Sequence, residues 1–329
     1  MPPVRIALDR LREVIPQLRP VEGGGASLEV TLARVERPET KVARLVEGDQ
    51  LYARRIPLDM PPAVTAFLDG VQESREVAWI GSVPLVHGRV AAVVRERIDR
   101  RLVTWGDGPR HQTAIYAPWA RLSQRDRALV EEAGFHTREV ADHQGGNAGA
   151  APNEPHPLRT MQDASNAVKQ DREVIERQLA DAFCRRDAGI LYVDGSLPSA
   201  EGVQESSRVV GVIKSHQTLY VSGADLVRVF ALEKGERSSA FAVESRHRPT
   251  VASWYLRVRD AGGRDPFWGL VRLEIPMREF EHGGADIADE CSAWVLAERA
   301  PVALPDGRWD TMAYGIRDCE AYLRAVAGM

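Results

Sequence analysis

Two apolar runs in this chain each end in an aspartate that is followed by a glycine. Ala63–Leu68 leads into Asp69, and Gly189–Val193 leads into Asp194. A short apolar run with β-branched members, closed by Asp-Gly, is typical of a buried strand that ends in a carboxylate. Carboxylate oxygens are hard ligands for Mg²⁺ or Mn²⁺, so two such strand ends could share one divalent ion in a phosphodiesterase site. Either Asp-Gly pair taken alone is more typical of a turn.

A third candidate carboxylate is on the segment that precedes the second of these strands. Apolar residues recur with a period near 3.6 from about Leu158 to Arg186, which predicts one long helix. Glu173 and Glu176 are three residues apart on this helix and therefore share a face. The helix leads directly into the strand that ends at Asp194, so one of the two glutamates could reach the strand end. The competing interpretation is an ordinary solvated helix face.

Positive side chains follow a later apolar strand. Lys214 and His216 lie at the exit of a strand predicted at Val209–Lys214. A cation at this place could hold a scissile phosphate or bind the backbone of DNA. A lysine whose stem packs at a strand end while its ammonium group reaches water explains the same pattern.

An aromatic residue and two arginines alternate along another predicted strand. Tyr255, Arg257 and Arg259 are separated by single residues, so they are expected on one face, with Trp254 on the other as a core residue. An aromatic ring next to arginines suits a nucleic-acid strand, because the ring can stack on a base and the arginines can pair with phosphates. We therefore expect Tyr255 and Arg257 to contact DNA.

The elements around these residues predict an α/β protein with a mixed sheet. Residues 63–101 are strand-like throughout and begin an antiparallel meander, and residues 143–157 form a loop or linker rich in Gly and Pro. Beyond Asp194, strands alternate with helices and no internal repeat occurs. We expect an N-terminal extension over residues 1–60 and a catalytic domain over residues 61–329.

The predicted extension begins with an amphipathic helix over residues 4–18, and Leu28–Leu32 alternates like a strand. A terminal helix cannot easily bury an apolar face alone, so a homodimer is expected from its apolar residues Leu8, Leu11 and Ile15. The alternative is that the helix folds back onto its own sheet.

The composition excludes several classes of function. The chain has 329 residues, of which 44% are hydrophobic, so it can bury a core. Its net charge is −4, which argues against a general DNA-coating protein. Its three cysteines have no CxxC spacing, and no secretory h-region or long apolar stretch is present, so we expect a soluble cytoplasmic protein without a membrane partner. No GxxxxGK[ST], GxSxG, HExxH or GxGxxG motif occurs, which argues against ATP hydrolysis by the chain itself.

From about residue 60 onwards, the order and spacing of these motifs resemble the NurA nuclease family. The stretches that carry the resemblance are Phe67–Gln72, the helix containing Glu176, Leu191–Leu197, Gly211–His216, Trp254–Arg257 and Gly269–Pro276. The resemblance implies an RNase H-like fold and a DNA nuclease that depends on Mn²⁺ or Mg²⁺. It also implies a dimer that works beside a HerA-type hexameric ATPase translocase, in DNA end processing or in defence against phage.

The same resemblance assigns roles to individual residues. Asp69 and Asp194 match the two aspartate metal ligands of the family, Glu176 matches the intervening glutamate with Glu173 as the fallback, and Tyr255 matches a tyrosine on a later strand. The family usually has a histidine on its C-terminal helix, but the stretch Tyr314–Glu320 contains none. Two interpretations stay open: either Asp318 supplies this ligand, or the second metal ion is bound weakly.

Two other functions stay open at this point. The missing histidine favours a non-catalytic adaptor that keeps the fold and docks on a translocase ring. A nuclease acting on RNA is the third possibility, since RNase H-like sites serve both nucleic acids.

Overall fold

A computed structural model describes residues 4–20, 38–141, 156–186, 189–246, 248–299 and 310–327. The strand predicted at Leu28–Leu32 and residues 143–155 of the predicted linker lie outside the described residues. Within the described ranges no helix is both long enough and apolar enough to cross a membrane.

The two helices predicted over residues 4–18 and about residues 158–186 are present, although the first ends at Val14, and the short helices over residues 201–204 and 223–230 were not predicted. The described helices are α1 (Val4–Val14), α2 (Gln124–Glu132), α3 (Pro157–Cys184), α4 (Glu201–Gln204), α5 (Gly223–Phe230), α6 (Met277–Ala297) and α7 (Tyr314–Ala327). The long helix α3 starts at a proline, the residue best suited to a first helical position, and His156 Nδ1 accepts a hydrogen bond from Leu158 N (3.2 Å). Helix α6 contains one non-helical residue, Gly284.

The strands begin with short pieces and continue into a long central hairpin. They are β1 (Leu18–Pro20), β2 (Glu39–Thr40), β3 (Arg44–Leu45), β4 (Ala53–Arg55), β5 (Ala66–Ile80), β6 (Val83–Ile98), β7 (Arg101–Thr104), β8 (Arg110–Ala117) and β9 (Thr137–Glu139). The second group is β10 (Leu191–Asp194), β11 (Val209–Ile213), β12 (Thr218–Leu219), β13 (Glu236–Ser238), β14 (Phe241–Val243), β15 (Val251–Arg257) and β16 (Leu270–Pro276).

Fourteen of the described strands form one mixed sheet, which confirms the predicted α/β class. The central order is β15-β16-β11-β10-β5-β6-β8. Strand β10 is parallel to both β5 and β11, whereas β6 is antiparallel to β5 and β16 is antiparallel to β11. The RNase H-like topology within this class stays a prediction.

Helices cover both faces of the sheet. Helix α3 packs on β5 and β6 around a core that includes Leu68, Val168 and Leu191. Helices α6 and α7 pack on the other face around Phe67, Tyr192 and Trp254. Trp254 is fully buried, as predicted for a core residue. Asp194 ends β10 as predicted, but β5 continues through Asp69 and Gly70 to Ile80, so the predicted end of a strand at Asp69 was wrong. Both aspartates lie between the helical layers.

The first helix is buried within its own chain. Leu8, Leu11 and Ile15 are between 1 and 7% exposed and pack against β5, β6, β8 and Trp119. The expectation that these residues need a second copy to cover them was wrong, because the distal part of the β5–β6 hairpin supplies the apolar surface.

Residues 1–60 do not form a separate unit in their described parts. Strand β1 pairs with β5, β3 pairs with β14 and β4 pairs with β13, so this segment contributes strands to the main sheet. The side chain of Glu47 is buried and accepts hydrogen bonds from Arg237 Nη1 and Nη2 (2.7 and 2.9 Å). The boundary predicted at residue 60 is thus crossed by strand pairing and a buried ion pair.

Candidate functional site

The two Asp-Gly strands are direct neighbours in the sheet. Strands β5 and β10 run parallel with Leu68 opposite Val193, so Asp69 and Asp194 occupy the next position on each strand. Strand β10 ends at Asp194, and Gly195 turns the chain away with a φ of 111°, a conformation that favours glycine. The sheet register therefore brings together two carboxylates that are far apart in the sequence.

Helix α3 crosses β5 where Gly70 leaves room for a side chain. Glu176 Oε1 lies only 2.2 Å from the position that a Cβ atom on Gly70 would take. Arg172, one turn earlier, contacts the Glu176 carboxylate (Nη1 to Oε1, 3.2 Å) and donates to Gly70 O (3.4 Å). Glu173 is exposed. Of the two glutamates left open by the helical period, Glu176 is the one next to the strand.

Asp69 is buried, and only one of its two carboxylate oxygens has a hydrogen-bond partner among the described residues. Its Oδ1 accepts a hydrogen bond from Gly70 N (2.8 Å), whereas its buried Oδ2 has no hydrogen-bond partner among the described residues. Burial, and then the negative charge of Asp194, raise the pKa of Asp69 well above its usual range. An unpartnered buried carboxylate oxygen costs free energy, and it is the kind of atom that a cation or a proton would satisfy.

Glu176 belongs to the same electrostatic cluster. Burial raises its pKa to about 7. Arg172 opposes this rise, and the negative charges of Glu173 and Asp194 reinforce it. Glu176 in turn contributes to the raised pKa of Asp69. The three predicted ligands are thus close enough to influence one another.

One lysine neutralises part of this negative charge. Lys214 Nζ lies 2.8 Å from Asp194 Oδ2, because β11 is parallel to β10 and carries Lys214 past the same end. Lys214 also lowers the pKa of Asp69 in opposition to the effect of burial. Its predicted position at the exit of the strand is confirmed.

The C-terminal helix α7 adds a carboxylate that sequence reasoning missed. Glu320 reinforces the raised pKa of Asp69, whereas the predicted substitute Asp318 accepts a hydrogen bond from Arg95 Nε (2.7 Å). Helix α7 is anchored beside Asp69 by Cys319, whose Sγ donates to Phe67 O (3.5 Å). Position 318 was expected at the site, but the helix directs it to β6. Only the packing of α7 on β5 distinguishes positions 318 and 320, and no sequence motif signals it.

The oxygen atoms of these carboxylates are suitable ligands for a hard divalent cation, but they are not arranged as a complete coordination site. In the ranges that the structure describes, no group of three or more His, Cys, Asp or Glu side chains is arranged so as to hold a metal ion. Asp194 is paired with Lys214 and Glu176 with Arg172. The Asp69 Oδ2 atom is the oxygen best suited to a cation, with Asp194 in register beside it, whereas Glu176 approaches β5 over the next residue, Gly70, from the side of α3.

The predicted DNA contacts on β15 are not at the surface. Arg257 is 1% exposed, and its guanidinium group donates to four backbone carbonyl oxygens, those of Phe230, Leu232, Pro266 and Trp268. Tyr255 is fully buried, and its hydroxyl accepts a hydrogen bond from Tyr220 N (3.1 Å). The prediction that these two residues meet DNA was wrong, because helix α5 and the loop before β16 cover this face of the strand.

His216 is partly buried at the same end of the sheet as Lys214. Its Nε2 lies 2.9 Å from Leu270 O, and burial lowers the pKa of the imidazole. The lowered pKa favours the neutral form of the ring and so disfavours His216 as a cationic phosphate contact.

A scan against models of known protein families and a search of curated protein sequences both return no match.

Proposed function

We propose that this protein is a metal-dependent nuclease that hydrolyses phosphodiester bonds in DNA. The observation that carries the proposal is Asp69, a buried carboxylate with one oxygen that has no hydrogen-bond partner among the described residues, in register with Asp194 and within electrostatic reach of Glu176 on helix α3. Buried carboxylates that raise each other's pKa values are enriched at functional sites.

In this proposal, Asp69, Glu176 and Asp194 are the residues that hold Mn²⁺ or Mg²⁺. A bound divalent ion would activate water and stabilise the charge that grows on the phosphate. The burial of Asp69 keeps its oxygen away from bulk water, which strengthens any electrostatic contact that it makes. Glu176, with a pKa of about 7, can hold or release a proton near neutral pH.

Lys214 is the residue proposed to bind a phosphate group of the substrate. Its ammonium group is at Asp194, only partly exposed, at the end of β11. A compact charge with three donors at this place would pair with a phosphate oxygen of a bound strand.

The resemblance to the NurA family extends the proposal to partners and context. We propose a homodimer that receives DNA from a HerA-type hexameric ATPase, acting in DNA end processing or in phage defence in the cytoplasm. The three cysteines are free and buried, which agrees with a reducing compartment. The dimer contact is not assigned to α1, whose apolar face is already covered.

The test is a matched pair of substitutions on one helix. We expect Glu176→Gln to lower Mn²⁺ affinity and DNA cleavage by roughly 100-fold or more, because losing a ligand costs at least as much as losing a residue that orients one. Glu173→Gln, one turn away and exposed, should change either quantity less than about threefold. Mn²⁺ binding is measured by titration calorimetry, and cleavage on labelled single- and double-stranded DNA and RNA.

Asp69→Asn and Asp194→Asn complete the series. Both variants should stay folded by circular dichroism and lose Mn²⁺ binding and cleavage together. Full cleavage by either purified variant would refute the assignment. Cleavage of RNA but not of DNA would mean that the substrate is RNA, and the proposed metal site would be retained.

A second candidate function is a non-catalytic adaptor that docks on a translocase. It is favoured by the ion pairs of Lys214 and Arg172 with two of the three carboxylates, and by the lack of a closed ligand group in the described ranges. An adaptor of this kind would bind a HerA-type ring, would cleave no nucleic acid with any divalent metal, and would be indifferent to Glu176→Gln.

A further inference from the structure

An aromatic shelf lies at the same end of the sheet as the acidic cluster. We define this shelf as His216, Phe267 and Trp268. The rings of His216 and Phe267 are stacked with centroids 5.0 Å apart and planes 22° apart, and Phe230 meets Phe267 edge-on at 5.1 Å. Side-chain stacking of this kind fixes the plane of Phe267.

Backbone contacts hold the shelf in place as well. Phe267 N donates to Asp265 Oδ1 (3.0 Å), and Leu270 N donates to Phe267 O (2.9 Å) where the chain enters β16. The neutral imidazole of His216 is fixed against Leu270 O. Phe267 is therefore a preorganised ring rather than a free loop side chain, which lowers the entropy cost of binding against it.

The sheet register puts this shelf beside the candidate site. Ile213, at the end of β11, is opposite Arg272 of the antiparallel strand β16, so the start of β16 lies next to the exit of β11. The exit of β11 carries Lys214, which is paired with Asp194, and then His216. His216 thus follows the strand adjacent to β10, and Phe267 precedes β16, which is two strands from β10.

The shelf combines an exposed aromatic ring with nearby positive charge. Phe267 is 36% exposed although it is a large apolar residue. Arg264 lies over the ring of Trp268, with its Cζ atom 4.2 Å from the centroid. An accessible ring next in the chain to a tryptophan that Arg264 covers, at the end of the sheet where β11 leads to Lys214, matches a ligand that alternates flat bases with phosphates.

We propose that Phe267 stacks on an unpaired base of the nucleic-acid strand whose backbone enters the acidic cluster. The inference rests on the proposed nuclease function and names the form of its substrate: single-stranded nucleic acid at the shelf. Every base has a π-face, so this contact binds without sequence preference. A base paired within a duplex is stacked on its neighbours and is not available to the shelf.

The test measures binding without catalysis. Fluorescence anisotropy of a labelled single-stranded oligodeoxynucleotide is recorded in EDTA, so that no cleavage occurs. We expect Phe267→Ala and Phe267→Leu to weaken binding by roughly 5- to 150-fold, the range that follows from losing one base–aromatic stack. Phe267→Tyr should keep the wild-type affinity. Ile98→Ala, which truncates another exposed apolar residue on the β6–β7 hairpin, should leave the affinity unchanged.

Abasic oligonucleotides separate stacking from a general packing effect. The wild type should lose affinity when the base that meets Phe267 is absent, and Phe267→Leu should show no such loss. Equal binding by the wild type and Phe267→Leu would overturn the inference. So would a loss in Phe267→Leu that is the same on intact and abasic strands, or a wild type that binds duplex and not single strands.

A separate measurement distinguishes failure of the shelf from failure of the nuclease. If the wild type and Phe267→Leu bind equally and both cleave DNA with Mn²⁺, the proposed stacking role of Phe267 is wrong and the proposed nuclease function is retained. If the wild type binds single strands through Phe267 but cleaves no nucleic acid, the stacking role of Phe267 is retained and the protein binds nucleic acid without cleaving it.

Discussion

Two carboxylates buried in the same sheet, Asp69 and Glu274, have opposite surroundings. Glu274 is fully buried on β16, and its oxygens accept hydrogen bonds from Leu197 N, Arg272 Nη1 and both terminal nitrogens of Arg248 (2.7–3.1 Å). Asp69, 5% exposed, has one hydrogen bond from Gly70 N and an oxygen with no described partner. The two carboxylates are buried to a similar depth, so they differ in how many hydrogen-bond and charge partners compensate that burial.

The pKa values follow this difference. Burial alone would raise the pKa of Glu274, but Arg272 and Arg248 hold it below its ordinary value. Asp69 has only the opposing charge of Lys214, which is itself paired with Asp194, and its pKa is raised. A compensated buried carboxylate is costly to remove because its partners are left unpaired, whereas an uncompensated one is available for a ligand.

The largest expected effect comes from removing the compensated charge. Glu274→Gln leaves Arg272 and Arg248 without their buried partner and weakens the anchor of Leu197, which follows Asp194 in the chain. We expect the free energy of unfolding to fall by about 3–5 kcal/mol, the usual cost of breaking a buried pair. Urea denaturation measures it.

Asp69→Asn is the control for this prediction. It removes a buried charge that lacks a full complement of partners, so the metal-free variant should be as stable as the wild type or more stable. A Glu274→Gln variant no less stable than Asp69→Asn would break the comparison.

A somewhat smaller effect is expected from pH. The pKa of Glu176 is about 7 in the folded protein against an ordinary value of 4.5, so the folded state binds the proton more tightly. The stabilisation is complete below pH 4.5 and is lost as the pH rises to about 7, amounting to roughly 3 kcal/mol for this group. Unfolding of the metal-free protein, measured from pH 4.5 to 8, should show this decline.

Glu176→Gln sharpens this prediction because glutamine does not titrate. The variant should lose the part of the decline that is due to this group, while Glu173→Gln keeps it. Mn²⁺ affinity should move in the opposite direction and rise with pH through 7, since a carboxylate must lose its proton to act as a ligand. A decline that is unaffected by Glu176→Gln would assign the pH dependence to another group.

The sequence predicted the two strands better than the side chains around them. The apolar run closed by Asp194-Gly195 ends a short strand as predicted, whereas β5 continues through Asp69 and Gly70 to Ile80. The pattern located both buried runs, but only the sheet register makes Asp69 and Asp194 neighbours. The choice between Glu173 and Glu176 does not follow from local patterns either, because residues three apart share a helix face. The open space above Gly70 decides it.

The failures on β15 and α1 have a common cause. Alternation along β15 was interpreted as one buried and one exposed face, but both faces are covered, and Arg257 is satisfied by carbonyl oxygens from two distant loops. Leu11 and its neighbours on α1 were assigned to a second copy, whereas the long β5–β6 hairpin covers them. Local periodicity reports that a face is apolar and does not report what lies against it.

The smallest expected effect on stability, and the most selective one for the site, comes from Gly70→Ala. The added Cβ would lie 2.2 Å from Glu176 Oε1 and 3.0 Å from its Cδ, so the carboxylate must move. This group is the far end of a flexible side chain, and β5 is extended at Gly70, so the cost should stay below about 1 kcal/mol. Mn²⁺ affinity should nevertheless fall about as far as in Glu176→Gln, measured by calorimetry beside urea denaturation. Unchanged affinity in Gly70→Ala would show that the position of Glu176 over Gly70 is a packing detail, and Asp69 would then be left with Asp194 alone as its partner in the proposed site.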